Sequence, residues 1–154
     1  MKVVLYNLIA FCLLVACTDT QTPKSKLDSS IYKSPEERVH VLKETIIAPS
    51  DFKDAEFELF NVNGFGDRAA GIPGASSWDY KFIVKTDPTN IPKWIDGSQP
   101  AVMKNDDYGW IRQLASKRPQ NWVMTSVSRR YERQGVTVVV YFKEGIVCKR
   151  VLNL

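Results

Sequence analysis

Histidine and cysteine are scarce in this 154-residue chain: one His, at position 40, and three Cys. Transition-metal sites take three or four nitrogen, sulfur or oxygen ligands, so neither a metal nor another cofactor is expected. The lone His40 has no G-x-S-x-G elbow to serve, which leaves a serine hydrolase without a visible framework. No apolar run reaches the roughly 20 residues of a membrane-spanning helix. Eight Gly and eight Pro show no period, which excludes collagen-like and solenoid architectures. What remains is ordinary for a globular protein, with 44% hydrophobic and 25% charged residues.

The longest apolar run lies at the start. Met1-Lys2 leads into Val3 to Ala16, interrupted only by Asn7, and Cys17 follows. This length suits a signal-peptide core. The tetrapeptide Leu14-Val15-Ala16-Cys17 resembles the lipobox of bacterial prolipoproteins, although Lys2 is the single cation ahead of it. The resemblance implies cleavage between Ala16 and Cys17, and a Cys17 thiol carrying diacylglycerol, with palmitate-type chains. Each buried methylene contributes about 0.8 kcal/mol, so two or three chains hold a protein stably on a membrane. Thr18, in place of the Asp that favours inner-membrane retention, implies the periplasmic face of the outer membrane in a diderm host. Residues 1–16 are thus expected to be a cleaved signal, 17–33 a lipidated flexible tether, and 34–154 one globular domain.

Processing changes the cysteine count. Cys12 departs with the signal and Cys17 is acylated, so Cys148 remains alone and no intramolecular disulfide is expected. Its neighbours, Ile146 and Val147, mark it as a small buried hydrophobe. Charge is uneven as well. Residues 103–154 hold ten cationic and four anionic side chains, whereas 18–102 hold ten and thirteen. Arg130, Lys143 and Arg150 are the candidates for contact with an anionic surface, whether lipid headgroups, peptidoglycan or an envelope protein. Nucleic acid is not an expected partner of a lipoprotein.

Local signals outline an antiparallel α+β domain. Ser34-Pro35-Glu36-Glu37 combines a capping box with proline at the first helical position, and Val39, Leu42 and Ile46 continue a helix over 35–46. Alternation predicts strands at 56–62 and 78–86. In the second, Trp78, Tyr80, Phe82 and Val84 share a packed face and Ile83 alone breaks the pattern. A short helix follows Asp87-Pro88 and stops at Gly97. A second, at 107–117, is capped by Asp106 or Asp107. Three strands at 122–132, 136–143 and 146–152, joined by Gln134-Gly135 and Glu144-Gly145 turns, complete a C-terminal meander. The sum is about five strands and two or three helices.

No motif in the domain points to catalysis. Gly64-Phe65-Gly66-Asp67-Arg68-Ala69 matches a dinucleotide fingerprint in letters, but Gly71-Ile72-Pro73-Gly74 prevents the helix that the fingerprint needs. Ser76 and Ser77 read as turn residues. Glu36/Glu37, Glu56/Glu58 and Asp106/Asp107 fall at helix starts or on a strand's wet face, and Trp94 and Trp110 read as core anchors. Arg129 shares a face with Val127 and Tyr131 and should be partly buried against a carboxylate unless a bulge intervenes; Arg130 faces the other way. The chain therefore reads as a non-enzymatic envelope lipoprotein that binds or supports something. The alternative is an inhibitor or immunity lipoprotein that blocks a secreted hydrolase or toxin, with loop 63–77 as its plug.

Overall fold

The computed structural model describes residues 24–65 and 77–153. Its strands are β1 (Lys24–Asp28), β2 (Asp54–Phe65), β3 (Trp78–Lys85), β4 (Gln99–Ala101), β5 (Arg129–Arg133), β6 (Val136–Tyr141) and β7 (Ile146–Asn153). Its helices are α1 (Pro35–Thr45), α2 (Ile91–Ile95) and α3 (Asn105–Ala115). All seven described strands form one antiparallel sheet in the order β1-β2-β3-β7-β6-β5-β4. The class is α+β with a C-terminal β5-β6-β7 meander, and the sheet is two strands wider than the five expected.

Both additional strands are edges. Of the tether expected over 17–33, residues 17–23 lie outside the described residues and Lys24–Asp28 form β1, in which Leu27 alone turns toward the core and pairs with Leu59. A strand wet on three sides has no apolar alternation to read. The three residues of β4 include Pro100, which an edge tolerates because no further strand needs its missing N–H. The strand expected over 122–132 is confined to 129–133. Upstream, the Thr125 and Ser126 N–H groups bond to the Glu144 carboxylate, which replaces a ladder.

Helix starts follow the local chemistry. The Ser34 hydroxyl accepts from the Glu37 N–H at 3.2 Å, and the Glu37 carboxylate accepts from the Ser34 N–H at 3.1 Å. For α3 the start is Asn105 rather than 107. Asp107 acts from inside the first turn by accepting the Lys104 N–H at 3.1 Å.

Helices cover both faces of the sheet. Leu42 of α1 and Ile91 and Trp94 of α2 pack with Phe57, Phe82, Val84 and Val138. On the other side Trp110, Ile111 and Leu114 of α3 pack with Ile83, Val139 and Cys148. Ile83 breaks the alternation of β3 because it feeds this second core. Trp78 and Tyr80 are only half-buried, since their end of the sheet extends past the first core. Cys148 is buried in an apolar site that pushes its thiol pKa up.

The β6–β7 turn closes on Gly145, whose φ is +67°. A Cβ there would collide with the Thr86 carbonyl oxygen. Gly145→Ala should therefore lower stability by about 2–3 kcal/mol, from left-handed strain plus the clash. At Gly97, φ +69°, a Cβ would meet only Arg133 Nη1 at 3.4 Å, so Gly97→Ala should lose the strain alone. Equal urea midpoints for the two variants would disprove the clash.

Candidate binding face

Helix α3 covers part of its sheet face and is strapped to it at both ends. The row beneath it reads Glu56, Ile83, Cys148, Val139, Arg130 across β2, β3, β7, β6 and β5, apolar in the middle and charged at each end. At the helix start, Arg130 is 5% exposed and its Nε donates to Asp107 Oδ2 at 2.7 Å. Past the helix end, Arg118 Nη1 donates to both Glu56 oxygens, at 2.7 and 2.8 Å. Lys117 pairs with Asp28 at 2.7 Å and with Glu58 at 3.3 Å.

The same cluster seals an exposed stretch of sheet edge. Strand β1 ends where Asp28 pairs with Glu58, so the beginning of β2 has no neighbour on that side. Arg38 of α1 fills the gap by donating from Nε to the Ala55 carbonyl at 2.9 Å, and Lys117 Nζ donates to the Phe57 carbonyl at 3.1 Å. Arg38 also binds Asp54 Oδ1 through Nη2 at 2.6 Å. A buried carbonyl left unpaired costs about 1–3 kcal/mol, which gives these cations a structural task.

Beyond α3 no described helix covers the sheet. Its next row is Asp28, Glu58, Lys81, Arg150, Thr137, Glu132, and a cleft of ≈ 550 Å³ opens between Lys26, Asp28, Glu58, Phe60, Asp79 and Lys81. Arg150 grips Asp79 with two bonds of 2.9 Å, and Lys81 approaches the same carboxylate at 3.1 Å. Burial raises the Asp79 pKa, but the hydrogen bonds from Arg150 and Lys81 outweigh it and the net shift is downward. Asp28 follows the same pattern, with burial outweighed by Lys117 and Ser30. The Arg130 hydrogen bond likewise lowers Glu132. A general acid needs a raised carboxyl pKa, and these three are moved the opposite way. The cleft offers fixed, matched charges suited to holding a polar or zwitterionic group.

The sequence-predicted contact residues do not form one patch. Arg130 is buried rather than exposed, because its side of β5 lies under α3. Arg129 takes the exposed position, its guanidinium 5.6 Å from the Phe142 ring, with no bulge needed. Arg150 is committed to Asp79. Lys143 is exposed in the turn at the far end of β7, roughly 25 Å from the Trp78 end at ~3.3 Å per residue. Ala16, Cys17, Ser76 and residues 66–76 of the expected plug lie outside the described residues. Sequence reading missed Arg38 and placed Glu56 on a wet face, yet Glu56 is 0% exposed. No protein-family model, curated protein or solved structure matches the chain.

Proposed function

We propose that the chain is a bacterial envelope lipoprotein whose domain binds or supports an envelope component without catalysing a reaction. Acylated Cys17 would hold it on the periplasmic face of the outer membrane. The observation that best supports this reading is how soon after Cys17 a strand of the sheet is reached. Lys24 is already in strand β1, so at most residues 18–23 separate the lipobox cysteine from a strand bonded to β2. Seven steps of ~3.3–3.6 Å reach at most about 25 Å, less than the span of many domains. A domain on so short a lead works at the membrane surface. The fixed charge lattice of the cleft, with the pKa values of Asp28 and Asp79 shifted downward, supports binding over acid–base chemistry. Its ligand class is a charged polar group of peptidoglycan or of an envelope protein.

The test is Cys17→Ala in the full chain. Incorporation of labelled palmitate should vanish and the signal should remain uncut by the lipoprotein-specific peptidase. Normal labelling and normal processing of the variant would overturn the reading.

A further inference from the structure

The direction of β1 fixes which part of the domain lies nearest the chain that precedes it. Lys24 pairs with Phe65 at the end of β2, Trp78 at the start of β3 pairs with Asn61, and Asn153 of β7 pairs with Trp78. The Gln134-Gly135 turn belongs to this same end, where the Leu152 N–H bonds to the Gly135 carbonyl. Asp28, Glu144 and Lys143 belong to the other end.

The near end carries apolar side chains at the surface beside a half-buried tryptophan. Ile47 is 98% exposed and Val62 50% exposed, and Trp78 is the single tryptophan of the described residues that is not buried. A cleft of ≈ 380 Å³ separates Ile47 from Trp78, with Asn61, Tyr80 and Val151 in its walls and Lys149 at its floor. Three cations here are uncommitted, one of them, Lys26, in the wall of the α3-face cleft. Lys26, Arg133 and Lys149 have no carboxylate within 4.0 Å among the described residues, and Lys149 has the Trp94 ring at 6.0 Å instead. Burial, and then the charge of Arg133, lower the Lys149 pKa, and an anion beside Lys149 would offset both effects. Asp79, the carboxylate next to Trp78, is already matched by Arg150 and Lys81. Tryptophan with aliphatic neighbours and uncommitted cations is the composition that settles at a membrane interface.

We propose that the near end of the sheet docks on the bilayer, with Ile47, Val62 and Trp78 in the headgroup region and Lys26, Arg133 and Lys149 on the phosphates of anionic lipid. The inference deepens the lipoprotein reading and rests on acylation at Cys17, which confines the near end to within about 25 Å of the lipid. Docking adds a second membrane contact to the acyl chains and sets the orientation of the domain. The charged cleft on the α3 face, whose wall includes Lys26, then opens sideways at the membrane surface.

The experiment uses the full chain produced with its own signal, purified from membranes and placed in vesicles of brominated phosphatidylcholine with or without phosphatidylglycerol. Mass of the N-terminal peptide reports acylation, and tryptophan quenching by the brominated chains reports docking. Quenching should require phosphatidylglycerol, disappear in Trp78→Phe and weaken as salt rises. Each cation near an anionic leaflet is worth about a fivefold change in partition, so Lys26→Gln with Arg133→Gln and Lys149→Gln should cut the docked-to-undocked ratio roughly 100-fold. Lys143→Gln should leave it unchanged. None of the three cations carries an ion pair of the fold, and circular dichroism of the triple variant checks that it folds. An acylated chain whose Trp78 is not quenched, or is quenched equally in the triple variant, overturns docking. A concentration-dependent dimer that shields Trp78 assigns the face to a second copy and overturns it too. A chain without acyl groups that is still quenched on anionic vesicles would sink the anchoring reading and leave docking standing.

Discussion

Arg38→Met should destabilise the domain by about 3–5 kcal/mol, a large part of the 5–15 kcal/mol available to an ordinary fold. The side chain is 1% exposed and every nitrogen is in use. Nε donates to Asp54 Oδ1 at 3.1 Å and to the Ala55 carbonyl, Nη2 donates to Asp54, and Nη1 reaches the Tyr32 and Lys33 carbonyls at 3.4 and 3.0 Å. Methionine fills much of the volume and supplies no donor. Asp54 would keep the Asn121 amide at 3.0 Å and Glu56 would keep Arg118, so the loss is partial neutralisation, not two bare charges. Two further variants separate charge from packing. Arg38→Lys restores the charge without the planar fork and should recover only part of the loss. Adding Asp54→Asn to Arg38→Met removes the stranded charge and should recover more. Urea denaturation reads all three. A loss under about 1 kcal/mol for Arg38→Met would place the network in the class of surface ion pairs and discard its role as an edge seal.

What the sequence made legible was local. The α1 cap is written in four residues, Ser34 to Glu37, and the two C-terminal hairpins in Gly135 and Gly145, both at positive φ. The edges were hidden for the opposite reason. A strand such as Lys24–Asp28 owes its existence to the ladder on β2, more than thirty positions later, and its own letters are those of a polar linker. The candidate site was the least legible part. Glu56 alternates with Ala55 and Phe57 as any wet-face residue would, and it is covered by distant partners, Ser29 from 27 positions upstream and Arg118 from 62 downstream. The strand expected over 122–132 lost its first part, 122–128, to a distant partner, since Ser126 and Thr125 give their N–H groups to Glu144. Four hydrogen bonds from these two residues hold the Glu144 carboxyl down at about 2, the Ser126 hydroxyl contributing most.

The sharpest reversal between sequence and fold concerns neighbouring arginines, and it gives the second large prediction. Arg130→Gln should cost about 3–5 kcal/mol, whereas Arg129→Gln should stay within about 0.5 kcal/mol of wild type. Alternation along β5 correctly separates the two side chains onto opposite faces. It cannot say which face is covered at that position. On the α1 face Arg129 extends past the core and rests over Phe142; on the other face α3 closes over Arg130 and sets Asp107 against it. Because Asp107 also holds the Lys104 N–H, losing Arg130 strands a buried carboxylate at the helix start and unsettles α3 together with its cap. Asp107→Asn keeps an acceptor for Lys104 and removes the charge, so combining it with Arg130→Gln should be less damaging than Arg130→Gln alone. That sign of coupling is what a buried pair gives and what a surface pair does not. Additive losses in the double variant, or a larger effect at Arg129 than at Arg130, would mean that α3 is not held through this pair. Confirmation would also explain why basicity in the last third of the chain is a poor guide to its surface. Three of its arginines, 118, 130 and 150, are spent on Glu56, Asp107 and Asp79 inside the fold, and the cations left for a membrane lie at the other end of the sheet from Lys143.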